Sequence, residues 1–382
     1  MEFLQSIFSA GSGLLGYVIP ALFVLMIVVF FHELGHFMVG RWCGVTISEF
    51  SIGFGKELFG FYDKHGTRWK VSAVPLGGYV KFLGDENAAS VPDQEALNSL
   101  GKDDREGSLH SKSLWARAAI VAAGPFANFL LSIVIFGMLL FLYGKPMTPA
   151  RVDAIAPDSA AAEAGFEVGD IMLSVDGQAI KSFADVQGIV ALSSGDALAV
   201  VVDRNGQEIT LMTTPRRTEV TDQFGNKQKI GVLGIRHAAR PEDVVRKQYG
   251  PLEAAWGGVT ETYAIVERTL GYVGRIFVGK EDADQLGGPI RVAQVSGQVA
   301  TLGIVALVNL AAILSVSIGL LNLFPIPMLD GGHLVFYALE GIRGKPLSAK
   351  SQEVGFRIGL ALVFSLMIFA TFNDITHIFM SD

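Results

Sequence analysis

The chain has 382 residues, half of them hydrophobic and 18% charged, with a mean hydropathy of +0.42 and a formal net charge of −7. Soluble globular chains carry about 25% charged residues, so this shortage, gathered into a few long apolar runs, excludes an ordinary soluble domain and predicts a polytopic α-helical membrane protein with a soluble part. No basic tract is present, which argues against nucleic acid as a partner, and the single cysteine, Cys43, rules out an intrachain disulfide.

The first span is predicted over about 14–40, within an N-terminal segment 1–43. No charged residue occurs from Phe3 to Phe31. A basic n-region and a small-residue cleavage site are both missing, so the span reads as uncleaved. It ends in His32-Glu33-Leu34-Gly35-His36, the H-E-x-x-H zinc motif. On a helix the histidines lie one turn apart on one face, where both imidazoles reach one ion and Glu33 sits beside the metal's open position. Such a string arises by chance on polar helices. Inside an apolar span there is no water to face, and an unpaired glutamate is costly, so the functional reading prevails. Cys43 lies off the histidine face and past Arg41 and reads as an inert interfacial thiol.

A loop over 44–114 follows. Within it, 68–83 reads RWKVSAVPLGGYVKFL: two β-prone runs around Pro75-Leu76-Gly77-Gly78, a turn signal that predicts a short membrane-associated β-hairpin, with a small surface hairpin as the equal alternative. Residues 85–113 are rich in Asp, Glu and Ser and read as mobile. The second span, 118–142 within 115–143, is uncharged. Residues 150–216 alternate β-prone runs with turns and close on a hairpin pattern around Arg204-Asn205-Gly206. A linker and an amphipathic, membrane-proximal segment fill 217–298, with an interfacial helix, or else an ordinary surface helix packed on the preceding domain, near 251–278. The third span is placed at 299–331, a loop at 332–355, and the fourth span at 356–380, centred on 358–373.

Lys and Arg set the orientation. Residues 1–40 contain neither, nor does the tail after Arg357, while 41–117 and the loop between spans three and four hold many. Both loops are expected to be cytoplasmic. Both termini and the 150–216 domain then lie on the outer side.

A catalytic zinc takes three protein ligands and keeps a position open. The third is sought in Asn322-Leu323-Phe324-Pro325-Ile326-Pro327-Met328-Leu329-Asp330-Gly331-Gly332-His333. Two prolines break the helix, and non-helical backbone at membrane depth is tolerated where it lines a cavity. Asp330, the acidic group of this stretch, is preferred, with His333 beyond the glycines as the rival. Spans one and three run the same way, which brings Asp330 to the depth of the histidines. The ligand types indicate Zn²⁺, and another divalent ion would suit them nearly as well.

With H-E-L-G-H in the first span and N-x-x-P-x-P-x-L-D-G after the third, the chain resembles the site-2 protease family of intramembrane zinc metalloproteases. Gly53-Phe54-Gly55, the Pro75–Lys81 segment, Gly124-Pro125-Phe126-Ala127-Asn128 and Leu286-Gly287-Gly288-Pro289-Ile290 extend the likeness over nearly the whole chain. It looks most like the bacterial RseP-like branch (regulator of sigma-E protease). The run from Ala164 through Asp170 to Gly177 resembles a PDZ domain of the bacterial protease type, present once where some relatives carry two. The resemblance implies that His32, His36 and Asp330 bind Zn²⁺ and Glu33 is the general base. It implies that Asn322 holds substrate backbone or the oxyanion, although a helix-packing amide is an equal alternative. Gly77, Gly78, Tyr79 and Val80 are expected to offer a strand edge to substrate. Implied partners are the lipid bilayer and single-span membrane proteins, such as anti-sigma factors or remnant signal peptides, with the PDZ-like domain binding or excluding their ectodomains. The implied location is the bacterial inner membrane. Two rivals, a non-enzymatic PDZ scaffold with a vestigial metal site and a cation transporter, account less well for an intact four-residue constellation and for the lack of repeated halves.

Overall fold

The computed structural model describes residues 2–84, 105–221, 227–238, 245–280, 283 and 287–380. Most of the 85–113 stretch expected to be mobile lies outside them. The helices are α1 (Glu2–Trp42), α2 (Leu114–Tyr143), α3 (Ala160–Glu163), α4 (Phe183–Leu192), α5 (Pro251–Phe277), α6 (Pro289–Ala300), α7 (Ile304–Asn322), α8 (Asp330–Arg343) and α9 (Ala349–Met380). Four are long and apolar enough to cross a membrane, over Leu15–Trp42, Leu114–Tyr143, Ile304–Asn322 and Lys350–Thr376, one for each expected span. The chain divides into two units, described in turn.

The first unit holds the spans. α7 packs a small-residue face on α2, with Ala311, Ala312, Ser315, Val316 and Gly319 buried. In a bilayer such faces gain from close packing and from hydrogen bonds that have no competing water. Here Ser132 Oγ donates to the Ala312 carbonyl at 2.8 Å, and Ser315 Oγ donates to the Asn128 carbonyl at 2.9 Å. The middle of α5 lies on α2, where a Cβ on Gly258 would meet the Ile133 carbonyl at 2.3 Å. α6 docks on α9 through Asp374, whose buried carboxylate accepts N–H bonds from Gly288, Ile290 and Arg291 at the start of α6.

The segment expected to be a self-contained hairpin at 68–83 is built differently. β1 (Ile47–Tyr62) and β2 (Arg68–Phe82) each bend, and the first half of β1 lies between the two arms of β2. Glu49 to Ile52 sits opposite Lys81 back to Gly78 on one side and opposite Arg68 to Val71 on the other; Phe59–Tyr62 pairs with Val71–Arg68 beyond. The turn signal at Pro75–Gly78 is real, but its arms are held apart by a third segment. Local sequence does not encode such a non-local insertion. Phe50, Val80 and Phe82 bury into one cluster with Phe37 of α1 and Ile120 of α2, which fixes the sheet against the helices.

A second difference concerns the third span. It was expected to carry Asp330 within 299–331, but the span proper ends at Asn322, and Gly303 separates it from α6. The chain then turns through Pro325 and Pro327, with Met328 at φ +88°, a left-handed conformation disfavoured for a side chain of this kind. A new helix, α8, starts at Asp330. The prolines lack the N–H groups that would continue α7. A Cβ on Gly331 would lie 2.3 Å from the Leu323 and Phe324 carbonyls, so glycine permits the tight return.

The second unit is β-rich and contains residues 139–254 and 270–285. Its strands are β3 (Lys145–Met147), β4 (Ala154–Ile155), β5 (Ile171–Val175), β6 (Gln178–Ala179), β7 (Leu198–Arg204), β8 (Gln207–Thr213), β9 (Arg216–Thr221), β10 (Lys227–Val232), β11 (Ile235–Arg236) and β12 (Val245–Lys247). One sheet runs β6-β5-β7-β8, and its alternating apolar side chains pack Val175, Val200 and Val202 against Val186 and Val190 of α4. Arg204 bridges Asp170, Glu167 and the Gly165 carbonyl, closing the turn before β5. The sequence boundary at 216 falls short. β11 pairs with β4, Leu233 enters the same core, and Gly231 packs on the Val190 carbonyl. Part of the expected 217–298 linker is therefore wall of this unit.

Candidate metal centre

α1 presents His32 and His36 one turn apart. Their Nε2 atoms are 3.2 Å from each other, and Asp330 brings its two oxygens to 3.2 Å from His32 Nε2 and 3.5 Å from His36 Nε2. These three are the group, among the described residues, whose ligand atoms lie within 4.8 Å of one another. Tetrahedral zinc with bonds of about 2.0–2.2 Å separates neighbouring ligand atoms by roughly 3.3–3.5 Å. The donor set, two imidazole nitrogens and one carboxylate, and its spacing both fit a catalytic Zn²⁺. His32 is buried and the other two are half-buried. The rival ligand His333 lies outside the group, its ring 5.4 Å from that of Phe356.

Each imidazole has a second contact on α2. His36 Nδ1 lies 2.9 Å from the Ile120 carbonyl, and the Asn128 carboxamide lies 3.2 Å from His32 Nδ1. The approach of α1 to α2 is close because glycines stand on both sides. A Cβ on Gly35 would lie 2.3 Å from the Ala123 carbonyl, and one on Gly124 would lie 2.2 Å from His36 Nε2. The orientation of Asp330 follows from its place in the first turn of α8.

Glu33 points out of the ligand face toward the edge of β2. It accepts a hydrogen bond from the Val80 N–H. A Cβ on Gly78 would lie 3.1 Å from Glu33 Cγ and 2.9 Å from Val29 Cγ1. The main chain at 78–80 therefore borders the carboxylate directly. Side chains nearby serve other ends. The Tyr79 hydroxyl donates to Glu49 at 2.9 Å, Val80 is buried in the core, and Gly77 at φ +146° faces the Phe54 ring. Asn322 is the last residue of α7, with seven residues between it and Asp330. Cys43 is half-buried and packs on the cluster around Phe37 and Phe50, away from the ligand group.

Sequence reasoning named Asn128 only as part of a matching motif and passed over Ile120. The visible signal was small-residue spacing, Gly35 on α1 against Gly124 on α2, which marks a close helix pair at the depth of the histidines.

Peptidase family M50 matches residues 20–366. A protein of Agrobacterium fabrum, provisionally named a zinc metalloprotease, is 51% identical over 375 residues, covering 98% of this chain and all of the relative. One from Rhizobium meliloti, named in the same provisional way, is 51% identical over 366 residues, 96% of this chain and 98% of its own length. The Metalloprotease MmpA of Caulobacter vibrioides is 41% identical over 388 aligned positions, 96% of each chain.

Proposed function

The chain belongs to peptidase family M50, the site-2 proteases, and is a zinc metalloprotease with membrane-spanning helices; from that premise we propose that it cleaves transmembrane segments of single-span membrane proteins within the bilayer. His32, His36 and Asp330 would hold the zinc and Glu33 would be the general base. Held by these residues, zinc would supply Lewis acidity toward the scissile carbonyl and lower the pKa of the attacking water. Glu33 takes the proton from that water and passes it to the leaving amide nitrogen. One observation carries this reading: a strand edge and a carboxylate meet beside three metal-ligating atoms, on a helix apolar enough to lie in lipid.

The edge addresses a problem peculiar to such substrates. A transmembrane helix has every backbone N–H and C=O paired, and in lipid an unpaired group costs several kcal/mol. Unwinding needs replacement partners. The main-chain groups of successive residues along a strand point to opposite sides. The Leu83 N–H bonds back to the Thr46 carbonyl, whereas the Val80 N–H turns out to Glu33. By that parity the main-chain groups of Gly78 and the carbonyl of Val80 face outward, available for an added substrate strand, while the Val80 N–H is held by Glu33. Gly78, with no side chain, keeps that edge against Glu33. Asn322 would contribute a contact to the substrate backbone from the end of α7.

Substrates of the anti-sigma-factor kind, already trimmed on the outer side, suit a site carried on a helix apolar enough to span a membrane, and remnant signal peptides are a second class. The β-rich unit is read as a PDZ-like domain on the outer side of an inner membrane, where it binds or excludes ectodomains. A topology reporter fused at Asn205 is expected to score as exported and one at His65 as cytoplasmic; the opposite pattern would defeat the Lys/Arg orientation. The central test is cleavage of a model transmembrane substrate by the purified protein. Glu33→Gln is expected to keep its zinc and lose cleavage, and substantial residual proteolysis would remove Glu33 from the role of base.

A further inference from the structure

We propose that Asn128 is a positioning residue of the metal centre, whose carboxamide oxygen accepts the Nδ1–H of His32 and so holds the ring with a bare Nε2 toward the metal. The inference rests on the zinc centre described above. It concerns what decides which His32 nitrogen is free to bind.

A histidine that ligates through Nε2 is neutral and carries its proton on Nδ1. In a buried site that N–H needs an acceptor. For His36 the acceptor is a main-chain carbonyl, that of Ile120 at 2.9 Å, which cannot change character. At His32 the equivalent place is taken by a side chain. The polar group at its Nδ1 is the Asn128 side chain, fully buried and 3.2 Å away. An amide can present either end, since oxygen and nitrogen exchange on a half-turn with almost no change in shape. With the nitrogen toward His32, two donors would face each other, and Asn128 Oδ1 would be buried with no partner. With the oxygen toward His32, the Nδ1–H is satisfied and Nε2 is left bare. No donor reaches Oδ1 at the far end to hold the other orientation, so the contact with His32 decides between them.

The surroundings hold Asn128 in place for this contact. Its main-chain carbonyl accepts the Ser315 hydroxyl of α7 at 2.9 Å, and the Ser132 hydroxyl, which donates to Ala312, lies 3.0 Å from the same carbonyl. A Cβ on Gly319 would come within 3.1 Å of Asn128 Cβ, so α7 closes over the residue from behind. α2 runs antiparallel to α1 along this contact: Ile120 serves His36 and Asn128 serves His32. One helix therefore sets the tautomer of both ligands. A buried amide in an apolar span is otherwise costly, and a packing role would be met more cheaply by leucine.

The test uses the purified full-length protein in detergent and reads Zn²⁺ affinity by competition with a chromophoric chelator, without reference to cleavage. Asn128→Leu removes the acceptor at similar volume and is expected to weaken Zn²⁺ binding by about 10–100-fold, the usual effect of losing a partner of a metal-bound histidine. Asn128→Asp restores an acceptor of the same reach and is expected to stay within about threefold of wild type. Asn128→Ala replaces the leucine variant should that one fail to fold. A purely packing role predicts the reverse order, with Leu tolerated and Asp damaging, and that order would overturn the proposal. So would unchanged affinity in both Leu and Ala. Wild type is measured beside Asp330→Ala: if both hold Zn²⁺ equally, the metal centre itself is wrong, and the role of Asn128 falls with it.

Discussion

Gly124→Ala adds one methyl group to α2 and is expected to disable the metal centre while leaving the fold standing. The new Cβ would sit 2.2 Å from His36 Nε2 and 2.5 Å from Cε1. Non-bonded heavy atoms rest at about 3.5–4.0 Å, so the ring or the helix must give by more than 1 Å. The ring has little freedom, because its Nδ1 is held at 2.9 Å by Ile120, a residue of the same helix that carries the added methyl. Moving it breaks that bond and withdraws Nε2 from Asp330. Overpacking by a methyl group costs about 1–3 kcal/mol, which a helical unit of this size survives. Displacing a reacting geometry by about 1 Å costs on the order of 100-fold in rate. The expected result is a folded, membrane-inserted protein with zinc well below one per chain and cleavage reduced at least 100-fold. Metal analysis of the detergent-purified protein, together with a transmembrane-substrate assay, reads both. Gly271→Ala, on α5 with open space around the added carbon, serves as the control for helix substitution as such. Gly124→Ala that holds a full complement of zinc and cleaves at the wild-type rate would refute the argument that the close α1–α2 approach aligns His36.

Asp330→Ala is expected to abolish zinc retention, while His333→Ala keeps it; the opposite result on metal analysis would reassign the third ligand. Gly78→Ala places a carbon 2.8 Å from the Ser51 carbonyl and 3.1 Å from Glu33 Cγ, forcing the strand edge away from the base. It is expected to slow cleavage of a helical substrate more than of one carrying helix-breaking residues at the scissile bond, with zinc unchanged. Equal losses on the two substrates would remove the strand-addition step. This variant is a cleaner probe than proline at Val80, whose N–H also serves Glu33.

Much of the architecture follows from the order of residues alone. Four apolar runs become four helices because lipid leaves the backbone no other way to pair its polar groups. The spacing of His32 and His36 puts two ligands on one face by helix geometry, and two prolines within three residues keep the third span from continuing, whereas the single prolines Pro20 and Pro125 sit inside α1 and α2. The β-propensity of 68–83 was legible too, because it is a property of short stretches. What the sequence left open depends on contacts between distant segments. No local signal places 47–52 between the arms of β2, returns Ile235 to Ile155 as a neighbouring strand, or starts a separate helix at Asp330 after the turn at Met328. The same holds for Asn128 at His32 and Val80 at Glu33, partners 96 and 47 residues apart along the chain. Their chemistry exists only once α2 and the sheet edge have been pressed onto α1. Periodicity is written in neighbouring residues, whereas a hydrogen bond between distant ones is decided by the packing that brings them within 3 Å or so.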